Sequence, residues 1–274
     1  MKDFTLKIYE KLLIALKLAN YEFVTFEGFI NLSFPRRRES TENEDIAGDS
    51  RLRWNDTLRF IILRHDVDLK AENSLETAKI EHSLGIRASY YFRIVPQSDK
   101  PHIIKQIAAL GHEIGYHYED LSLFKGDETQ AIAHFETQLA HFRKFYPVRT
   151  ICMHGSPTSK IDNKDIWKSY NYRNFGIIGE PYFDVDFNKV FYLTDTGRSW
   201  NGARFSVRDK VKSTFDLHFR TTFEIINALK NNELPDKIMI TTHPQRWTDN
   251  NFQWTKELVF QSLKNLIKLF LAHR

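Results

Sequence analysis

Phe60-Ile61-Ile62-Leu63-Arg64-His65-Asp66-Val67-Asp68 is an apolar, strand-forming run that ends in two carboxylates one residue apart. Ile and Leu without alternation mark a strand buried on both faces, as in parallel sheets. Unpaired carboxylates are costly to bury, so Asp66 and Asp68 belong at the strand's end. In parallel α/β folds the carboxyl ends of the strands are where sites are built. At i and i+2 of an extended chain the two project to one side. Like charges so close call for a bound cation or one raised pKa. A strand cap with a surface ion pair is the plainer alternative.

Outward from this stretch the chain alternates strand and helix. The pattern predicts helices over about 71–84, 101–110 and 127–145, the last with Asp127 as N-cap. Strands are predicted at 88–95, 112–117 and 149–153. A short helix near 163–169 precedes β-like stretches at 175–185 and 190–194. A helix at 220–231, a strand at 237–242 and a helix at about 254–272 complete the chain. Such alternation implies a parallel sheet with right-handed crossovers. About seven strands in one domain could close into a distorted (β/α)7-type barrel with added terminal helices. Residues 1–34 read as an amphipathic helix and short strand packed on the barrel. Residues 35–56 read as a charged insertion too poor in apolar residues to order itself. The barrel domain then runs over 57–274.

Of 274 residues, 42% are hydrophobic and 27% charged, as in ordinary soluble globular proteins. A net charge of +4 is too small to argue for nucleic-acid or membrane binding. The single cysteine, Cys152, excludes an intrachain disulfide and reads as a buried, inert thiol. The N-terminal apolar run Leu12–Leu16, flanked by Lys11 and Lys17, is too short for a secretory h-region. No stretch reaches transmembrane length. These readings predict a cytoplasmic protein without stable membrane insertion.

The polar clusters fall at strand ends. Asp66 and Asp68 follow the first core strand, His117-Tyr118-Glu119-Asp120 the third, His154 the fourth and His243 the last. A closed sheet would gather them on one rim. Carboxylate oxygen and imidazole nitrogen suit zinc or a similar divalent ion, which activates water near neutral pH. A carboxylate outside the metal's shell can then serve as base and a distal histidine as acid. Trp200 and Trp247 follow strand-like segments and are candidate sugar-stacking platforms, with core packing as the alternative. His82, His102, His134, His141 and His273 lie on predicted helices and read as solvent-facing.

Arg64-His65-Asp66-Val67-Asp68, Gly111-His112-Glu113-Ile114-Gly115-Tyr116-His117 and Thr242-His243-Pro244 resemble, in order, the motifs of the polysaccharide deacetylases, carbohydrate esterase family 4. The resemblance covers about residues 58–250. It implies a distorted (β/α) barrel that removes acetyl groups from sugars with a divalent metal. By it, Asp66 matches the base, Asp68 and His117 match metal ligands, and His243 matches the acid.

Three departures stand out. The family's second metal histidine falls on Leu121, which cannot ligate, so Asp120 or His154 is the candidate third ligand. The family's Arg-x-Pro element is replaced by His154-Gly155-Ser156-Pro157, which leaves Arg198 as the candidate partner of the base. His65 precedes the carboxylates and reads as structural.

Two expectations follow. One is a hydrolase of an N-acetyl group on an amino sugar or glycan precursor, with a small-amide hydrolase as its variant. The other is an inactive descendant that binds a glycan or a protein partner.

Overall fold

The computed structural model describes residues 2–33, 58–155, 159–200 and 211–272, with side chains placed as far as residue 266. The predicted insertion at 35–56 lies outside the described residues.

Seven strands form the sheet: β1 (Glu22–Val24), β2 (Phe60–Val67), β3 (Ser89–Phe92), β4 (Glu113–Tyr118), β5 (Ile151–Met153), β6 (Phe191–Thr194) and β7 (Lys237–Thr242). All pairings are parallel, in the order β5-β4-β3-β2-β7-β6. β1 pairs with the first half of β2 and β3 with its second half. The sheet curls into a distorted barrel whose β5 and β6 edges do not pair. β2 is central and buried along its whole length, as its unbroken apolar run implies.

Alternation along β2 separates two cores. Ile61, Leu63 and Val67 join a large cluster between the strands and the helices. Phe60 and Ile62 join a smaller one inside the barrel, with Tyr91, Cys152 and Met239. Gly115 on β4 is needed here: a Cβ at that position would lie 2.3 Å from the Tyr91 ring.

Among the described residues the α-helices are α1 (Leu6–Leu18), α2 (Phe26–Ser33), α3 (Ala71–Ser83), α4 (Pro101–Ala109), α5 (Asp120–Leu123), α6 (Glu128–Phe142), α7 (Pro181–Asp184), α8 (Thr222–Lys230) and α9 (Asn251–Ala272). Asp127 caps α6 as expected, accepting from the Gln130 N–H. α2 was not expected from the sequence. It plugs the interior, with Phe26 and Ile30 in the inner core. The β-like reading of 175–185 is corrected. Pro181 opens a short helix there, and only Gly179 bridges to Thr150. α9 turns Glu257 and Asn265 inward, to Lys70 and to the Gly197 carbonyl. Its Phe252, Val259, Phe260 and Leu263 stay exposed. Among the described residues no helix is long and apolar enough to cross a membrane.

Candidate active site

Arg64 and Asp66 lie on the inner face of β2, two residues apart, and Asp68 lies just past its end. Asp66 is buried and held by both ends of a fork: Arg64 Nε donates to Oδ1 at 2.8 Å and Nη2 to Oδ2 at 2.6 Å. Bidentate, charge-assisted pairing of this kind fixes both position and ionisation. Burial pushes the Asp66 carboxyl up, but Arg64 and the nearby histidines outweigh it, and its pKa falls to about 2.

Three imidazoles meet these carboxylates. His117, on β4, has Nδ1 2.9 Å from the Cys152 carbonyl oxygen and Nε2 3.5 Å from Asp68 Oδ1. His154, one residue beyond β5, has Nδ1 2.9 Å from Glu119 Oε2 and Nε2 3.5 Å from the same Asp68 oxygen. Glu119 is itself clamped by Arg93 at 2.7–2.9 Å. Burial raises the Glu119 carboxyl, yet His154 and Arg93 bring it to about 2. His243, just past β7, has Nδ1 2.6 Å from Asp195 Oδ1 and Nε2 3.9 Å from Asp68 Oδ2. Asp195 also accepts from the His243 N–H, Arg246 Nη1 and Trp247 Nε1. His117 and His243 each have Nδ1 tied down and Nε2 turned toward Asp68, while His154 faces Glu119 with Nδ1 and Asp68 with Nε2. This is how outer partners orient metal-binding or acid–base imidazoles.

Asp68 Oδ1 is buried and has no hydrogen-bond partner. His117 and His154 Nε2, at 3.5 Å, are too far for good hydrogen bonds to it. Two ligand atoms around a tetrahedral zinc stand roughly 3.3 Å apart, each ~2.0–2.1 Å from the ion. Asp68, His117 and His154 therefore fit a divalent cation with one position open. A second grouping, Asp66, His117 and Cys152, is also close enough. It fits less well because Arg64 already occupies both Asp66 oxygens.

Solved structures this chain is similar to include family 4 carbohydrate esterases and a pseudoenzyme of that family. One is a family 4 pseudoenzyme from Bacillus anthracis: 12% identity over 78% of this chain and 63% of that one, TM-score 0.45. Another is PdaA of Bacillus subtilis, at 11% identity over 77% of each chain, TM-score 0.38. A third is a family 4 carbohydrate esterase from Streptomyces lividans, solved with acetate, at 13% identity over 76% and 90%, TM-score 0.39. The chain spans 63–65% of the length of the pseudoenzyme structures. No family model and no curated protein matches it.

The structure brings together Asp66, Asp68, His117, His154 and His243. It separates the other candidates from them. Asp120 faces away from the site: fully buried at the start of α5, it accepts from the Tyr116 hydroxyl and meets His134 Nδ1 at 2.5 Å. Leu121 packs into the outer core, so a ligand there would need a different backbone path. Arg198 is not the partner of the base. Arg64 fills that role, while Arg198 lies over the Phe4 and Trp254 rings at 5.2 and 4.9 Å. Trp247 is fully buried and Trp200 nearly so, both against Phe4, so neither offers a face to a sugar. Among the helical histidines, His134 and His141 are half-buried, paired with Asp120 and Asp99. His218 is exposed and beside Asp216.

Sequence reasoning missed Arg64, Glu119, Asp195 and Gln245. Asp195 sat within reach of the strand-end argument, directly after β6. Arg64 sat within reach of the period-2 argument that paired the two aspartates.

Proposed function

We propose that this chain is a metal-dependent hydrolase that removes an acyl group, an N-acetyl, from an amino sugar or a glycan precursor. The observation that carries this reading is the arrangement of base and acid. Asp66, held by Arg64, comes within 3.9 Å of His117 Nε2, and His243, held by Asp195, comes within 3.9 Å of Asp68 Oδ2, so each borders the Asp68–His117–His154 donor set. A divalent ion such as zinc, held by those three residues, would bring the pKa of a water toward neutrality and polarise the acyl carbonyl.

The chain's own residues do the rest. Asp66 stays ionised at neutral pH because Arg64 holds its carboxyl low, which leaves it in the form that can accept the water's proton. His243 has Nδ1 committed to Asp195, which leaves Nε2 to protonate the departing nitrogen. Asp195, fixed by Arg246 and Trp247, sets the direction of the His243 ring. The surrounding buried groups keep bulk water from the pair.

The test is acetate release from N-acetylated hexosamine oligomers by zinc-loaded protein, with metal content measured alongside. Stoichiometric zinc in wild type, its loss in Asp68→Ala, and abolished acetate release in Asp66→Asn are expected. Acetate release that persists unchanged in Asp66→Asn rejects the assignment of the base. Failure of wild type to hold zinc rejects the metal-dependent reading.

A further inference from the structure

Gln245 faces Asp68 with a carboxamide that the proposed chemistry does not use. It sits in the loop after His243, 6% exposed, and that loop is pinned on both sides. Asn73 Nδ2 donates to the carbonyls of Pro244 and Trp247, at 3.4 and 3.2 Å. Arg246 and Trp247 donate to Asp195. Gln245 Nε2 donates to Asp68 Oδ2 at 3.2 Å, the oxygen that His243 Nε2 approaches to 3.9 Å. A carboxylate only accepts, so this contact fixes which end of the carboxamide is nitrogen. Oε1 is about 2.2 Å from Nε2 in the same group, hence within about 5.5 Å of Asp68 Oδ2. It is buried and has no partner. Such an orphaned acceptor calls for an explanation, since leaving one unsatisfied is destabilising.

We infer that Gln245 Oε1 receives the N–H of the scissile amide and makes the site selective for N-acyl over O-acyl substrates. The inference rests on the proposed deacylase reading and deepens it. An amide presents an N–H at the atom His243 protonates, and an ester presents only lone pairs there. As His243 delivers its proton the leaving nitrogen gains positive character, so the N–H to Oε1 bond strengthens toward the transition state. An ester would set its oxygen against Oε1 and leave that acceptor unpaired. Sites that hydrogen-bond a substrate N–H discriminate strongly against analogues lacking it.

The experiment compares wild type and Gln245→Met on tetra-N-acetylchitotetraose and on acetylated xylotetraose, with zinc content measured for each. Methionine keeps the volume and removes both polar ends. The kcat/KM for the amide should fall roughly 10- to 100-fold relative to that for the ester. Loss of metal, or a shift of Asp68, lowers both activities together and leaves their ratio unchanged, so the ratio isolates the contact. An equal fall in both overturns the inference and leaves the deacylase reading standing. Wild type inactive on both substrates overturns the reading and the inference with it. Should Gln245→Met not fold, Gln245→Asn withdraws the same oxygen, and the ratio should fall in the same direction. Calorimetric binding of the two oligomers to Asp66→Asn reads the contact without turnover. A preference for the N-acetyl oligomer that survives Gln245→Met in that background also counts against it.

Discussion

β2 carries a buried carboxylate–histidine cluster on each of its faces, and the two are built on opposite rules. On the outer face, Glu81 from α3 meets His65 Nε2 at 2.8 Å and accepts from the Tyr9 and Tyr90 hydroxyls. His65 Nδ1 lies 2.6 Å from the Thr242 hydroxyl, and His112 accepts from the Ala88 N–H while its Nε2 reaches the Ala78 carbonyl. None of these side-chain atoms lacks a partner. On the inner face, Asp68 Oδ1, Gln245 Oε1, Arg64 Nη1 and His154 Nδ1 are buried without a hydrogen-bond partner. A saturated network specifies and stiffens a core. A network that leaves buried polar atoms unpaired is costly unless a ligand completes it. Histidine and acid content alone does not tell the two apart. Saturation does.

The largest expected effect separates them by activity. His243→Ala should lower kcat by about 10²–10⁴, the usual worth of a positioned general acid. Its stability in urea should stay within about 1 kcal/mol of wild type, because Arg246 still pairs with Asp195. A large loss of stability with little loss of rate would move His243 into the structural class.

Glu81→Ala is the mirror experiment. Removing one member of a fully buried ionic cluster costs about 3–5 kcal/mol. The fraction that remains folded should turn over at the wild-type rate per active site. Urea titration and active-site-normalised kinetics check both halves. A rate loss that exceeds the loss of folded protein would tie the outer network to catalysis through His65 and Thr242, the neighbours of Asp66 and His243.

The inner cluster was largely legible from the sequence and its supports were not. Asp66, Asp68, His117, His154 and His243 each end a strand, and a parallel barrel gathers strand ends whatever the helices do. Supports come from elsewhere. Glu119 and Arg93 reach His154 across the tops of β3 and β4. Trp200 and Trp247 looked available because they follow strands, yet Phe4, ahead of α1, closes over both. That docking spans most of the chain length, and no local pattern carries it. α2 was hidden for a local reason: its eight residues include Gly28, a poor helix former, and its helical state rests on burial of Phe26 and Ile30. The parallel sheet of about seven strands followed from alternation, the order of its strands did not, and the 175–185 error came from apolar content without a pairing partner.

Glu180 falls between the two classes and sharpens the contrast. It is fully buried, accepts from the Met153 and Tyr182 N–H groups at 3.1 and 2.6 Å, and has no histidine beside it. Burial lifts its pKa from 4.5 to about 7, against the pull of those N–H groups, Arg64 and Lys164. A carboxyl raised on folding binds its proton more tightly in the native state. Its contribution is complete below the unfolded value and is lost as pH rises through 7. The shift corresponds to about 3 kcal/mol between those limits. Glu180→Gln should flatten the decline in urea-measured stability between pH 4.5 and 7.5. A decline that survives the substitution would assign it to another group.

The smallest expected effect concerns two neighbours that point opposite ways. Glu119 meets His154 Nδ1, the ring nitrogen that does not face Asp68, while Asp120 turns outward to Tyr116 and His134. A carboxylate behind a ligating imidazole typically supports metal affinity by 10–100-fold, about 1.4–2.8 kcal/mol. Glu119→Gln should therefore weaken zinc binding by that factor in competition with a chromogenic chelator, with the protein still folded around Arg93. Asp120→Ala should leave zinc affinity unchanged and lower stability instead, since it strips a partner from Tyr116 and His134. The order matters more than the sizes. If Asp120→Ala weakens zinc more than Glu119→Gln does, the third ligand is Asp120 after all, α5 must rotate to bring it inward, and the saturated-versus-orphaned distinction fails at the residue where it is most finely drawn.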